Sequence, residues 1–317
     1  MGKNVNNNDW QVKRVKVVQL ESAEISYRIF GEAEVKVVIV PALGSCSAEW
    51  WHLAERFSKN KNYSVLVYDR AGYGMSSPSS IKRTPRHVAE ELAQLLSKLN
   101  VTHKVVLVGH SQGGLYIQQF ARAYPHLVKG LVLVDPLSAN DNIFKIKLTE
   151  ELYKKSGVNK LKALRIGYWL TSFKLGTFFV PVLKKAPPFY YYNHFSKEAE
   201  TYILKAFTKP MQYKTAIEEY HFSHDEEEIA HLKEKGNFPD IALKLITHTP
   251  RKAMEEIIYY GGTTEEEAQL IDEISQKLMK EYLTFSSKSE LILAKNSSHY
   301  IHLTEPELIK KAIEDII

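Results

Sequence analysis

The sequence has almost no cysteine, little net charge and no apolar run long enough to cross a membrane undisturbed. The single cysteine, Cys46, excludes a disulfide framework and any zinc site built from cysteines. The 42 Lys and Arg exceed the 37 Asp and Glu by only five, which is too few to indicate nucleic-acid binding. The N-terminus has no apolar signal core, and Asn6 stands where a myristoylation site requires Ser or Thr. We therefore expect a cytoplasmic protein that does not bind nucleic acid.

The length and composition are those of a globular chain. With 317 residues, 44% of them apolar, we expect two domains or one large domain with an insertion. Residues 1–9 are polar and rich in asparagine, and we predict a disordered tail there. The most membrane-like stretch, residues 163–183, contains Arg165, Lys174 and Pro181, which argues against a spanning helix.

Strand and helix patterns alternate along both ends of the chain. Residues 11–20 and 24–30 alternate polar and apolar side chains and predict an edge hairpin. Continuous apolar runs at 35–40, 63–68, 104–109 and 130–135 predict strands buried on both faces, as in a parallel sheet. The pattern resumes with strands at 241–247 and 289–295. Thr84 and Pro85, the pair Thr264 and Glu267, and the pair Thr304 and Glu307 mark predicted helix starts.

The alternation stops between residues 137 and 238. This segment shows helical patterns broken by prolines and no strand-like run. We therefore predict a doubly wound α/β fold with a mostly parallel sheet, a core of residues 10–136 and 239–317, and a helical insertion at 137–238.

The motif GHSQGG follows the predicted strand 104–109 and precedes a helical pattern. A G-x-S-x-G sequence in that setting is a nucleophile elbow, in which the tight turn holds the serine in a strained conformation. It predicts Ser111 as a nucleophile at the carboxyl end of the sheet. The alternative interpretation is an ordinary serine in a glycine turn.

Two further motifs are YDRAGYGMSSP at 68–78 and SSHYIHLTEPELI at 297–309. Together with GHSQGG, they make the chain resemble the α/β-hydrolase superfamily outside the insertion. The resemblance implies a helical lid over 137–238 and a triad in the order serine, acid, histidine. It places the base at His299, with His302 as the alternative. Asp69 and Arg70 are expected to shape their own loop, and the remaining histidines to be surface or packing residues.

The acid of the triad is the open question. Most relatives carry it after the strand that corresponds to 241–247, but LITHTPRKAMEE offers no carboxylate there before Glu255 and Glu256, inside a predicted helix. Asp240 precedes that strand, at its opposite end. Asp135 ends strand 130–135, where a subset of relatives carries the acid. We predict Asp135, with Glu255 or Glu256 as alternatives and a structural role for Asp135 also open.

The resemblance also implies an oxyanion hole made by the backbone N–H groups of Leu43 and Gln112. Relatives have His-Gly-x where this chain has Pro41-Ala42-Leu43. Cys46 either lines the same cavity or is a small buried apolar residue. No cofactor or metal is expected, and His221, His224 and Asp225 are better explained by a solvated helix face than by a metal site.

The insertion holds 18 of the 35 aromatic residues, which favours a roomy apolar pocket. We predict as substrate contacts Tyr168, Trp169, Phe173, Phe178 and Phe179. Residues 137–197 also carry eleven Lys and Arg against three acidic residues, so this surface either contacts an anionic membrane or is a solvated helix face.

From the sequence we expect a serine hydrolase that cleaves a small apolar carboxylic ester, in the manner of a carboxylesterase or lipase. Thioesters, amides, lactones and carbon–carbon bonds remain alternatives, because one triad serves them all. A ligand receptor or inactive relative on the same fold is the second hypothesis. The sequence does not indicate an oligomeric state.

Overall fold

The computed structural model of the protein describes Lys3–Asn4 and residues 14–317. Nine strands of this part form a single sheet. In chain order they are β1 (Lys3–Asn4), β2 (Lys16–Gln19), β3 (Glu24–Phe30), β4 (Val35–Val40), β5 (Ser64–Tyr68), β6 (Val105–His110), β7 (Val128–Val134), β8 (Ala242–His248) and β9 (Ser289–Ala294).

Helices cover both faces of this sheet and fill the segment between β7 and β8. They are α1 (Trp51–Ser58), α2 (Pro85–Lys98), α3 (Gln112–Ala123), α4 (Ile143–Lys147), α5 (Glu150–Lys155), α6 (Leu161–Ser172), α7 (Val180–Leu183), α8 (Lys197–Phe207), α9 (Pro210–Ser223), α10 (Glu226–Lys233), α11 (Pro250–Gly261), α12 (Glu265–Lys280), α13 (Ile301–Thr304) and α14 (Pro306–Glu314).

The strand order is β1-β2-β3-β5-β4-β6-β7-β8-β9. The strands β4 to β9 run parallel to one another, and β1, β2 and β3 add an antiparallel edge. The doubly wound, mostly parallel α/β sheet is thus confirmed. The predicted hairpin is β2 with β3, although residues 11–13 lie outside the described residues. So does the predicted tail, except Lys3 and Asn4, which pair with β2.

Alternate side chains of the central strands enter two apolar cores. Val37 and Ile39 of β4 face the core that α1 and α14 cover, while Val38 and Val40 face the core that α2 and α3 cover. Because both faces are buried, these strands are continuously apolar, as the sequence indicated. The arrangement leaves the carboxyl ends of β6, β7 and β8 side by side at one edge of the sheet.

The helix starts follow the capping signals in two of three cases. Thr84 accepts a hydrogen bond from the His87 backbone N–H, and Thr264 with Glu267 forms the predicted capping box. The box predicted at Thr304 is wrong. Thr304 ends α13, and Glu305 stands at the N-cap of α14 because Pro306 begins that helix.

The helices α4 to α10 occupy the predicted insertion. Within it α6 packs closely on α9, where a side chain at Gly167 would collide with the ring of Tyr213. Along the described part of the chain, no helix is both long and apolar enough to span a bilayer.

Candidate active site

Ser111 lies in the tight turn between β6 and α3. Its backbone angles are φ 53° and ψ −121°, in a region that residues other than glycine rarely adopt. The turn requires glycine on either side: a Cβ at Gly109 would lie 2.6 Å from the Gly113 carbonyl oxygen, and one at Gly113 would lie 2.2 Å from that of Val40. The predicted strained elbow is confirmed, and it presents Ser111 to a cavity at the N-terminus of α3.

His299 and Asp135 form a hydrogen-bonded pair in the same cavity. The Nδ1 atom of His299 lies 2.7 Å from Oδ2 of Asp135, so Nδ1 carries the proton and Nε2 is the basic nitrogen of the neutral ring. Asp135 follows β7 directly, is buried, and has the unusual φ of 45°. Its backbone N–H is held by the Ile246 carbonyl of β8 at 2.8 Å. The structure therefore brings together the predicted serine, histidine and acid.

The alternative acids lie elsewhere. Glu255 is exposed and pairs with Lys252, while Glu256 accepts hydrogen bonds from Ser298 and Tyr191. Neither contacts His299. Asp240 holds the turn at Ser286 and Ser287, at the opposite end of β8.

A second histidine, which the sequence analysis assigned to packing, is bound to the same aspartate. His248 ends β8, and its Nδ1 lies 2.6 Å from Oδ1 of Asp135 while its Nε2 lies 2.8 Å from Oδ1 of Asp272 in α12. A carboxylate can only accept hydrogen bonds, so both ring nitrogens donate and the ring is an imidazolium. The backbone N–H of His248 also donates to Asp135, at 3.1 Å.

The charges in this buried chain reinforce one another. Burial opposes protonation of His248, but Asp135 and Asp272 outweigh it and raise its pKa to about 10. Burial would raise the pKa of Asp135, but the hydrogen bonds and positive charge of His248 and His299 outweigh it and hold that pKa well below its usual range. Asp135 is therefore ionised at neutral pH. The role of His248 had one signal in the sequence, namely a polar residue at the end of an apolar strand that was expected beside β7.

Two further histidines lie beside His299. His110 donates from Nε2 to the backbone carbonyl of His299 at 2.9 Å, and burial together with His299 lowers the pKa of His110 to about 3. It is a neutral ring that supports the loop carrying His299. His302, the alternative base, is fully buried and stacks on Trp50 at 4.3 Å, away from the cavity.

The loop after β4 is fixed from two directions. The Arg70 guanidinium donates to the carbonyls of Pro41 at 2.6 Å and Ala42 at 3.0 Å, and Gln212 of α9 donates to the Gly44 carbonyl at 2.7 Å. Leu43, one of the two predicted oxyanion donors, lies within this loop and lines the cavity. Arg70 therefore shapes more than its own loop, because its other side binds the insertion.

That second contact is a buried ion-pair network. Glu219 of α9 accepts from Arg70 at 2.9 Å and from Arg83 at 3.1 Å, and Arg83 also binds Glu91 of α2 at 2.6 Å. All four side chains are buried. The network attaches α9 rigidly to the core and to the loop after β4.

The cavity above Ser111 has a volume of about 850 Å³. Core and insertion both line it, with Gln112 and His299 on one side and residues of α5, α6 and α9 on the other. Apolar and tyrosine side chains form the larger part of the lining, and charged groups lie among them: Leu43, Phe144, Leu164, Tyr191, Tyr213, Tyr220, Ile257, Tyr260, Leu278, Met279 and Tyr300, with Asp141, Lys154, Lys155, Lys160, Glu256 and Asp272. It is large enough for a drug-sized ligand.

The five predicted substrate contacts do not line this cavity. They are exposed on the outside of the insertion, so the prediction is wrong: Tyr168, Trp169, Phe173, Phe178 and Phe179. The cavity's aromatic residues are instead mostly tyrosines, on α9, on α11 and beside His299. The outward position of the aromatic residues on α6 could not be read from the sequence, because the small residue Gly167 decides which face of α6 meets α9.

Cys46 is fully buried in the core that α1 covers and does not line the cavity. His224 stacks on Tyr220 and lies 3.2 Å from Asp141, and Asp225 caps α10. Within residues 14–317 and β1, no group of three or more potential ligands could hold a metal ion.

The comparisons with known proteins agree with the fold. A family model described as the alpha/beta hydrolase fold matches residues 36–155. YqjL of Bacillus subtilis is 25% identical over 286 residues, which are 90% of this chain and 85% of YqjL.

Among solved structures, ALR0039 of Nostoc sp PCC 7120 superposes with a TM-score of 0.70 and 18% identity, over 95% of this chain and 97% of that one. A thermophilic esterase from Thermogutta terrifontis superposes with a TM-score of 0.60 and 17% identity, over 94% and 97%. The epoxide hydrolase CorEH superposes with a TM-score of 0.65 and 16% identity, over 95% and 97%, so the fold does not decide the bond that is cleaved. Together, the sheet, the elbow and these matches show that the chain has the α/β-hydrolase fold.

Proposed function

We propose that the protein is a serine hydrolase that cleaves small carboxylic esters with apolar groups through an acyl-enzyme on Ser111. The observation that carries the proposal is the strained Ser111 in one cavity with the hydrogen-bonded pair of His299 and Asp135. The family includes enzymes of other chemistry, but opening an epoxide by covalent attack would require a carboxylate at the elbow, where this chain has a serine.

In the first step His299 Nε2 takes the hydroxyl proton of Ser111 as Oγ attacks the carbonyl carbon. The negative charge that develops on the carbonyl oxygen is stabilised by the backbone N–H groups of Leu43 and Gln112. When the tetrahedral intermediate collapses, the bond to the alcohol oxygen breaks and that oxygen takes the proton from His299. Water then attacks the acyl-enzyme by the same route and releases the acid.

Asp135 holds His299 in the tautomer that these reaction steps require, with the proton on Nδ1 and the lone pair on Nε2. In our proposal His248 and Asp272 hold Asp135 in turn. The ring and the backbone N–H of His248 both donate to Oδ1 of Asp135. This oxygen of the buried carboxylate would otherwise have no donor. Asp272 balances the imidazolium charge. Oδ2 is thereby left to His299 alone.

The cavity lining supports apolar substrates. Since each buried methylene contributes up to about 0.8 kcal/mol, kcat/KM should rise by up to about fourfold per methylene as the acyl chain lengthens from acetate. A chromogenic ester series measures this rise, and matched thioesters, amides and lactones show which bond is preferred. A profile that falls steadily beyond acetate would contradict the apolar acyl site.

The control for this series is a second serine of the cavity. Ser111→Ala should abolish turnover, while Ser275→Ala, which removes a hydroxyl from the same cavity lining, should retain it. Ligand binding without turnover in the unaltered protein would favour the receptor hypothesis over the hydrolase.

A further inference from the structure

The outside of the insertion carries a cluster of exposed apolar side chains. Fifteen large apolar residues are exposed in the described part of the chain, and seven of them fall within a stretch of 17 residues on α6, α7 and the turn between them. We call these seven the outer apolar face: Ile166, Tyr168, Trp169, Phe173, Phe178, Phe179 and Val182. Trp169, Phe173 and Phe178 are 57%, 62% and 77% exposed. Clusters of this kind on a folded protein mark interaction surfaces.

The geometry of α6 explains why these side chains remain outside. The face of α6 that contains Gly167 and Thr171 packs against α9, and the first turn of α6 lines the cavity through Ala163 and Leu164. Ile166, Trp169 and Phe173 are spaced three and four residues apart and therefore form a stripe on the opposite side of the helix. The rings of Trp169 and Phe173 lie 5.0 Å apart. None of the three side chains belongs to an apolar core cluster of the described chain.

The charge around the outer apolar face has one sign. Residues 152–197 contain nine Lys and Arg and no Asp or Glu. Some of these cations are neutralised by carboxylates outside the segment, such as Lys184 by Glu200 at 2.6 Å. Among the described residues, Lys162, Arg165, Lys174 and Lys185 have no ion-pair partner. The face therefore presents aromatic side chains among uncompensated positive charges.

This combination selects one kind of occupant. A second copy of the chain would bring two basic faces together, and their repulsion opposes a symmetric dimer. A surface of anionic lipid headgroups complements the charge at about 1 kcal/mol per Lys or Arg close to it. Trp, Tyr and Phe side chains also favour the boundary between headgroups and acyl chains.

We propose that the outer apolar face binds the surface of an anionic lipid bilayer. The aromatic side chains enter the headgroup region, and Lys162, Arg165, Lys174 and Lys185 contact the lipid phosphates. Because the first turn of α6 also lines the cavity, bound protein holds the rim of that cavity close to the bilayer. The proposal does not depend on the esterase function, since it concerns the outside of α6 and α7 and not Ser111.

The test is binding of the full chain to vesicles of phosphatidylcholine, with and without phosphatidylglycerol, measured by sedimentation and by tryptophan emission. We expect binding only to the anionic vesicles, and we expect it to weaken at least tenfold as salt rises from 0.05 to 0.5 M. The emission should shift to shorter wavelength. Measured in a Trp10→Phe background, that shift should disappear in Trp169→Phe, which still sediments with the vesicles, because the two other tryptophans, Trp50 and Trp51, are buried.

Two triple variants separate this surface from general stickiness. Replacing Trp169, Phe173 and Phe178 by Ser should weaken vesicle binding at least tenfold. Replacing three exposed apolar residues elsewhere, Ile81, Leu270 and Leu293, by Ser should change it less than twofold. Ser111→Ala should bind as the unaltered chain does, which keeps this result separate from any loss of activity.

Three outcomes would overturn the proposal. The first is equal binding to neutral and anionic vesicles or to neither. The second is an equal loss in both triple variants. The third is a dimer in solution that the first triple variant converts to a monomer while vesicle binding is unchanged, which would assign the outer apolar face to a contact between copies.

Discussion

Replacing His248 by Gln removes a positive charge from the far side of Asp135. In the unaltered protein this imidazolium opposes the arrival of a second positive charge on His299, since both rings bind the same carboxylate. Without it, His299 accepts a proton more readily. Because a protonated His299 cannot take the proton of Ser111, the acid limb of the kcat/KM profile should move to higher pH.

The size of the shift follows from the geometry. His248 and His299 reach opposite oxygens of Asp135 over 2.6 and 2.7 Å, so the two ring charges lie roughly 8 Å apart. At an effective dielectric constant of about 20, two unit charges at that distance interact by ~2 kcal/mol, which corresponds to about 1.5 pH units. Adding Asp272→Asn removes a carboxylate that lies farther from His299, which reduces the expected shift to about 0.5 pH units.

The assay is the pH dependence of kcat/KM for a chromogenic ester, with thermal unfolding as the control for folding. The double variant also guards against the instability that an unpaired, buried Asp272 would cause. His103→Gln, which breaks a histidine contact with Glu34 far from the cavity, should leave the profile in place. Folded variants whose activity falls equally at every pH, with an unmoved acid limb, would refute the argument and leave His248 a packing residue.

Three other predictions concern the buried charged groups of the site and of the insertion. Asp135→Asn keeps the shape of the side chain but not the tautomer of His299, so kcat should fall by up to about 10⁴-fold. Glu255→Gln should change kcat little, and near-normal turnover in Asp135→Asn would make Asp135 a structural residue. Glu219→Gln should lower the free energy of unfolding by about 3–5 kcal/mol in denaturant titrations, because it leaves buried guanidinium groups unpaired, whereas the exposed control Glu255→Gln should change it little. Finally, the raised pKa of His248 gives stability that is fully present below pH 6.5 and is lost as pH rises toward 10, so the melting temperature should fall over that range. The fall should be smaller in the double variant His248→Gln with Asp272→Asn, and equal slopes in the two proteins would contradict the buried imidazolium.

Elements with a local signal were predictable from the sequence. The apolar runs of β4 to β8 and the N-cap at Thr84 depend on neighbouring residues alone, and each appears where it was expected. Ser111 was predictable for the same reason, since the elbow needs glycines at fixed spacing around it. Asp135 followed from its position directly after an apolar strand together with the resemblance, since a subset of relatives carries the acid there.

Contacts between distant segments were not predictable in this way. His248 lies 113 residues from Asp135, and Asp272 enters the site from α12, so only the register of β7 against β8 brings them together. The aromatic residues of α6 were placed on the wrong side for a related reason. Periodicity shows that Trp169 and Phe173 share a face, but the packing of Gly167 on Tyr213 decides that this face points outward.

The central claim is that Ser111 is the residue that attacks the substrate. Incubation with a fluorophosphonate, followed by peptide mass mapping, tests it most directly, because the reagent remains on the oxygen that attacks it. We expect one adduct per chain, on the peptide that contains Ser111, and none on Ser111→Ala, which should unfold at the same temperature as the unaltered protein. An adduct on another residue, or undiminished labelling of Ser111→Ala, would contradict it.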